Sequence, residues 1–477
     1  MIAHSIHSQA SFGLGKRRGT PMLFAGHLQA WGLFLLIFLT YTNTTDVLIK
    51  FHGVPSFTKM LAPLLGLIMV YRWLADGERP IDARSVAFGF VAFGLVSAIS
   101  LFHAIYVDRT SEALELFAKD ALIAAITVML LRDGGTLRGL VWSILAGVIF
   151  LGSIATFKYA TGDLDNIYGG FAQTSFSHIA GELDSHRLSG TMADPNFYAA
   201  LIAFAIPLAF ERMVNERSWL LRLIALAALG LGLASVGLTA SRGALVALGL
   251  VAGLAVLLLR PKLLLVLPLT LPIFVVALTL VPEEYIQRYQ AMLDLIPGMG
   301  GRGGGTETSI RGRLGEWAAA RAMFLDYPIF GIGLAQYEPN FETYTLRLGT
   351  ELRGGVRQAH SLYLEIAAER GLVGLAAFLV LLGLAAVNVW KARRHAIAMK
   401  NPDLGSLVTG IGMATCTLLT AMIFLHDAYP RMLWLAIALC LVMSALVRRD
   451  GEFALRRKVG AAAAMQAGSF PHAPRNR

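Results

Sequence analysis

Arg187, Arg242, Arg313 and His360 are the residues whose types and settings suit chemistry. Arg187 opens RLSGTMADPNFYA (187–199), Arg242 sits in TASRGA (239–244), Arg313 lies in SIRGRLGEWAAARAMFLD (309–326), and His360 opens HSLYLEIAAERG (360–371). A guanidinium fork matches phosphate oxygens and stays charged at any relevant pH. An imidazole titrates near neutrality and can take a proton from an attacking hydroxyl. Taken singly, each has a plainer reading: an arginine at a helix end commonly snorkels to headgroups, and a lone histidine at the top of a helix is more often a structural hydrogen-bonder. Whether they act together depends on the elements that carry them.

Those elements are membrane spans. The chain of 477 residues is 56% hydrophobic and only 15% charged, with a mean hydropathy of +0.61. Runs such as GLFLLIFL (32–39) and LLLVLPLTLPIFVVALTLV (263–281) are apolar all round, whereas a soluble core helix keeps one polar face. The pattern predicts an all-α, polytopic membrane protein with about twelve transmembrane helices and a large, mostly helical loop late in the chain. Residues 1–26 read as a cytoplasmic tail bearing Lys16, Arg17 and Arg18, and 27–281 as spans one to nine. Residues 282–368 read as a large outer loop domain, 369–447 as spans ten to twelve, and 448–477 as a basic cytoplasmic tail. From a cytoplasmic N-terminus every short inner connection is basic, as with Arg72, Arg79 and Arg84, or Arg212, Arg217 and Arg222. The net charge of +10 therefore reflects topology rather than a nucleic-acid partner. Cys416 and Cys440 lie in apolar runs and read as packing residues.

The outer connections 158–193 and 282–368 are long, and they bring the chemistry-bearing residues to one side. Arg187 falls at the mouth of the sixth span, where Asp194 and Pro195 suit a helix start, and Arg242 at the turn between the seventh and eighth. In the late loop, the glycine run GMGGRGGG (298–305) reads as a linker. Ser309 suits the N-cap of a helix running to Asp326. On that helix Arg313, Trp317 and Arg321 recur at a spacing of four, a face fit for an anion or sugar, or simply a solvated basic face with an anchored indole. Gly331 and Gly333 in PIFGIGLAQY permit an irregular turn, a second helical pattern begins near His360, and Gly371 can relieve the chain as it enters the tenth span. Arg353 and Arg357 lie close to His360 in sequence. Lys119 and Asp120 are the ionisable residues nearest mid-membrane, the one opening for a transporter, and no inverted repeat accompanies them.

The outer loops contain no HExxH motif, His/Cys cluster, paired aspartates or GxSxG elbow. An arginine-rich outer site with one histidine suits a membrane-anchored pyrophosphate, and glycosyl transfer from it to a hydroxyl. RLGEW (313–317), YPIFGIGLAQY (327–337) and HSLYLEIAAERGLVG (360–374) resemble, in that order, the signature of the O-antigen ligase and polymerase superfamily. TASRG (239–243) and RLSGTMADPNFYA resemble its two upstream motifs.

The resemblance implies an inverting, metal-independent glycosyltransferase without a cofactor, multi-pass in the bacterial inner (cytoplasmic) membrane with its active site facing the periplasm. Its donor would be an undecaprenyl-pyrophosphate-linked glycan and its acceptor lipid A core or another glycan, among membrane lipids and without nucleic acid. His360 matches the family's histidine, the general base, while Arg187, Arg242 and Arg313 fall where the family has arginines for the pyrophosphate. Arg311 competes with Arg313, whose spacing of four to Trp317 favours it; Trp317, Arg321, Arg357 and Tyr363 are expected in support. The family's commonest pair is His-Asn, whereas here Ser361 follows His360. Ligase, polymerase and protein-glycosylating branches share this donor chemistry, and the family's usual layout favours the ligase.

Overall fold

The computed structural model describes residues 21–177, 185–259, 304–349, 357–427 and 431–468. The expected span 262–281, most of the glycine run, and Arg353 lie outside the described residues, as does the side chain of Arg311. The chain begins with α1 (Pro21–Tyr41), which bends by 61° into α2 (Thr44–His52). There follow α3 (Phe57–Asp76), α4 (Arg84–Ala98), α5 (Val107–Met129) and α6 (Gly134–Thr161), then the strands β1 (Gln173–Ser177) and β2 (Ser185–Gly190). Beyond them come α7 (Pro195–Asn215), α8 (Trp219–Leu238), α9 (Arg242–Leu259), α10 (Gly304–Asp326), α11 (Tyr337–Leu348), α12 (Leu362–Ala398), α13 (Pro402–Ala421) and α14 (Arg431–Gly468). Among the described residues eight helices are long and apolar enough to cross a membrane, or nine if α1 and α2 make one bent span. Twelve were expected. One expected span, 262–281, lies outside the described residues, and α5 falls short of a plain apolar span because it carries Asp108, Arg109, Glu112, Glu115, Lys119 and Asp120.

α7 and α14 are apolar all round and mostly buried, the mark of helices at the centre of a bundle. Small residues on α7, among them Ala199, Ala203 and Ala209, let α8 and α13 pack close against it. An aromatic cluster of Phe93, Phe117, Phe378 and Trp434 joins α4, α5, α12 and α14, with Phe117 and Trp434 centroids 4.8 Å apart. The charges that opened a transporter reading are tied up. Lys119 pairs with Glu115, while Asp120 accepts from Arg431 at 3.2 Å, which also reaches Asp46 on α2. At the end assigned to the cytoplasm, buried Arg212 is held by Glu211, Glu216 and Asp403, so the basic connections there are paired with carboxylates.

Three local expectations need correction. The all-α expectation misses one element: in the connection 158–193, β1 and β2 form an antiparallel hairpin in which Arg187 pairs with Ser175. Leu188 and Ser189 are buried while Arg187 stays half-buried. Ser309 is not an N-cap, because α10 starts at Gly304 and nothing between 304 and 309 breaks a helix. His360 does not open α12 either. Its φ of 44° is left-handed and cannot continue a right-handed helix, which begins two residues later behind Ser361.

α10, α11 and the start of α12 enclose a small core of their own, built on Met323, Ile332, Tyr337, Phe341 and Ala368. This cap is fastened to the bundle. The buried side chain of Gln336 bonds both the amide and the carbonyl of Tyr106, and Thr110 donates to the Leu334 carbonyl at 2.7 Å. The main fastening is backbone to backbone. α12 is broken at Gly371 (φ 62°, ψ −161°), and the loop 328–333 lies in the break. Ile332 and Gly333 donate to the carbonyls of Ala368 and Glu369, each at 2.9 Å, while Leu372 and Val373 donate to those of Pro328 and Ile329 at 2.8 and 3.1 Å. The break thus regains the hydrogen bonds it would otherwise leave open. The approach requires glycine on both sides: a Cβ on Gly371 would meet the Ile329 carbonyl, and one on Gly331 (φ 72°) the backbone of Glu369 and Arg370.

Gly371 occupies a backbone region open almost only to glycine, so Gly371→Ala is expected to lower stability by roughly 3 kcal/mol. Gly383, on the same helix with nothing within 4 Å of its added Cβ, is the control, and Gly383→Ala should unfold at or slightly above the wild-type temperature. Thermal unfolding in detergent compares the two; equal midpoints would contradict the account of the break.

Candidate active site

The broken helix and its loop deliver His360 to the expected outer end of the bundle. The Trp317 indole on α10 donates to the His360 carbonyl at 3.4 Å, a long bond that still fixes the peptide of a left-handed residue. Glu316, one residue earlier and buried, brings Oε2 to 3.9 Å from His360 Nε2. That distance is too long for a hydrogen bond and makes an ion pair only with a protonated ring. The Glu316 carbonyl accepts from the Tyr337 hydroxyl at 2.9 Å, which locks α10 to α11 at this level.

His426 faces His360, with ring centroids 5.3 Å apart at 79°, and Phe197 on α7 backs it at 5.0 Å. Its place is set from α12: the amide of Asp427 donates to Glu365 Oε2 at 2.8 Å. The Nδ1 atoms of both histidines are buried with no hydrogen-bond partner among the described residues. Sequence reasoning missed His426 and Glu316. Glu316 stands inside RLGEW and was legible as a polar residue one step from Trp317, whereas His426 reads as an ordinary residue at the end of a span.

The arginines arrive from separate elements. Arg187 on β2 donates to the Thr239 carbonyl at 2.9 Å and to Asn196 Oδ1 at 3.1 Å, bridging the turn before α9 and the start of α7. Asp194 caps α7 by accepting from the amide of Asn196, with Pro195 at the first helical position as expected. Arg242 opens α9 three residues after Thr239, and the adjoining Gly243 packs on Phe424, two residues before His426. Arg313 and Arg357 are half-buried and lie near enough to His360 for their charges to act on it.

The electrostatics follow. Burial pushes the His360 imidazole down to about 4, helped by Arg313 and Arg357 and opposed by Asp194. Burial likewise pushes His426 down to about 3, with His360 adding to it and Asp194 opposing. Both rings are neutral at pH 7 and able to accept a proton. Because their folded values are depressed, protonation favours the unfolded chain, and stability falls as the pH drops below the ordinary imidazole range.

Two expected residues stand apart from this group. Arg321 shares the face of Trp317, but one turn further on it is exposed beside an apolar groove of about 310 Å³ lined by Leu314, Trp317, Phe324 and Leu364. Tyr363 donates its hydroxyl to the Leu419 carbonyl at 2.9 Å and packs on Phe378, which ties α12 to α13. A half-buried imidazole with the guanidiniums of Arg313 and Arg357 close by can take a proton beside a bound anion.

A titration tests this electrostatic setting. With ¹⁵N-labelled histidine, the signal lost in His360→Gln should titrate near pH 4, held down by burial and then by Arg313 and Arg357, and inorganic pyrophosphate should raise its midpoint by offsetting those arginines. A midpoint near 6.5 that ignores pyrophosphate would contradict it.

No curated protein matches the chain. A family model described as O-antigen ligase matches residues 224–379, a stretch that contains Arg242, Arg313, Trp317, Arg357 and His360. That match supports placing residues 224–379 in the O-antigen ligase and polymerase superfamily.

Proposed function

We propose that the chain is a membrane glycosyltransferase that moves a glycan from undecaprenyl pyrophosphate to a sugar hydroxyl at the periplasmic face, acting as an O-antigen ligase with lipid A core as acceptor. What supports this reading is His360 with Arg313 and Arg357 near enough for their charges to act on it; Arg187, which bridges the turn before α9 and the start of α7, and Arg242 at the start of α9 are proposed to complete the site. The family match supports the general class of lipid-linked glycan chemistry.

In the proposed reaction the acceptor oxygen attacks the anomeric carbon opposite the pyrophosphate, and the bond from that carbon to the phosphate oxygen breaks. His360 takes the acceptor's proton as the new bond forms. The Glu316 carboxyl group, 3.9 Å from Nε2, then faces the imidazolium, as an acidic partner does in triad chemistry. The pyrophosphate departs with the bonding electrons into the arginine forks, and the anomeric configuration inverts. Arginine supplies the charge that metal ions supply in other phosphate sites, so no cofactor takes part. The apolar groove beside Trp317 suits the isoprenoid chain of the carrier.

His360→Ala should insert and accumulate in membranes yet transfer no glycan, and full transfer by it in purified membranes would overturn the base assignment. Arg313→Lys should lose about tenfold or more, since an ammonium cannot reproduce the fork. Transfer should persist in excess chelator. In a deletion strain the ligase reading predicts bare lipid A core with polymer accumulating on the carrier; single repeats accumulating on the carrier would make the protein a polymerase.

A further inference from the structure

A second recess opens in the cap, away from His360. It encloses about 730 Å³ between the end of α10, the loop 328–332, α11 and the segment at His103 and Ile105. Its volume is that of a small-molecule site, about 300–1,000 Å³. Asp326 on its wall lies nine residues along α10 from Trp317, roughly 14 Å at the helical rise of 1.5 Å.

The lining is of two kinds. Tyr327 and Phe330 present aromatic rings that are 54% and 46% exposed. Between them stand groups with fixed polarity. Arg347 forms a two-pronged pair with Asp326, and Tyr344 donates to the same carboxylate at 2.9 Å. Those bonds hold the Asp326 carboxyl below its usual range, so it is charged at neutral pH. Asn340 donates to the Gln336 carbonyl at 2.7 Å, which orients its amide and turns its own oxygen to other donors, and the Thr343 hydroxyl is exposed beside it. A hydrocarbon chain in this recess would strip water from the ion pair and the amide without replacing it. A sugar ring satisfies both kinds of wall at once, its C–H face on the aromatics and its hydroxyls on the carboxylate, guanidinium and amide.

The rim says where such a sugar comes from. Ile105 and Ile329 are largely exposed, and Phe102, at the turn that follows α4, is 91% exposed. Apolar side chains so placed at the end of a membrane helix belong at the headgroup level. A glycan seated here is therefore one anchored in the same leaflet.

We infer that this recess is a saccharide subsite for the lipid-anchored acceptor, gripping sugars remote from the one that receives the new bond. The inference rests on the glycosyl-transfer reading, in which the arginine cluster is filled by the donor and the acceptor needs its own place. An oligosaccharide, not a single sugar, bridges the distance along α10. Phe330, Tyr327 and Asn340 are on this view specificity-determining residues, far from the proton transfer at His360.

The test uses the full chain in nanodiscs and, as probe, the core oligosaccharide freed of lipid A by mild acid from bacterial lipopolysaccharide. Saturation-transfer NMR should detect its binding to the wild type and equally to His360→Ala. Phe330→Ala and Asn340→Ala, checked for unchanged thermal unfolding, should each weaken it about tenfold. In transfer assays the same variants should raise the acceptor KM by a similar factor and leave the donor KM unchanged. Absent saturation in the wild type, or equal binding by both variants, would overturn the subsite. So would quenching of the cleft tyrosines by brominated lipid with no saccharide bound, which would make them headgroup contacts. The two readings fail separately: full transfer by His360→Ala with saccharide binding intact sinks the catalytic assignment and leaves the subsite. Transfer lost in His360→Ala with no saccharide bound does the reverse.

Discussion

The exchange of backbone hydrogen bonds between the loop 328–333 and the break in α12 is the constraint on which the rest depends. A helix interrupted at a membrane surface leaves donors and acceptors that must be met. Here Ile332, Gly333, Leu372 and Val373 meet them across the gap, and Gly331 and Gly371 let the two backbones come close enough. This interlock holds the turn of α12 that begins at Leu362, and so the height of His360 just before it. It also carries the 334–336 segment, whose bonds to Tyr106 and Thr110 seat the cap on α5.

The second requirement is charge. The half-buried His360 imidazole stays neutral because its surroundings solvate a cation poorly and because Arg313 and Arg357 oppose a further positive charge. Under the proposed function a bound pyrophosphate would reverse that balance. The left-handed backbone of His360, held by Trp317 and by packing against His426, is consistent with strain kept where function needs a fixed ring.

Much of this was legible in residue order. Gly331, Gly333 and Gly371 marked places where the chain would leave regular geometry, Asp194-Pro195 marked a helix start, and the spacing of four linked Arg313 to Trp317. What was not legible depends on long-range contact. His426 reaches His360 only because Asp427 bonds Glu365, sixty-two residues away, and no local pattern announces that. The spacing that placed Arg321 with Trp317 was correct about the face and silent about the turn, which carries it past the histidine. Tyr363 sits beside the site in sequence, yet its helical position turns it to α13. The short hairpin escaped because a five-residue strand with Phe176 as its one apolar residue carries no hydrophobic alternation to read.

The central claim is a single displacement assisted by His360, and its most direct test is stereochemical. A synthetic donor of defined anomeric configuration, transferred by the purified protein to a defined acceptor, yields a linkage whose configuration NMR reads from the coupling of the anomeric proton. One displacement at the anomeric carbon predicts inversion. Retention would require a covalent glycosyl intermediate on the protein, and it would contradict the account.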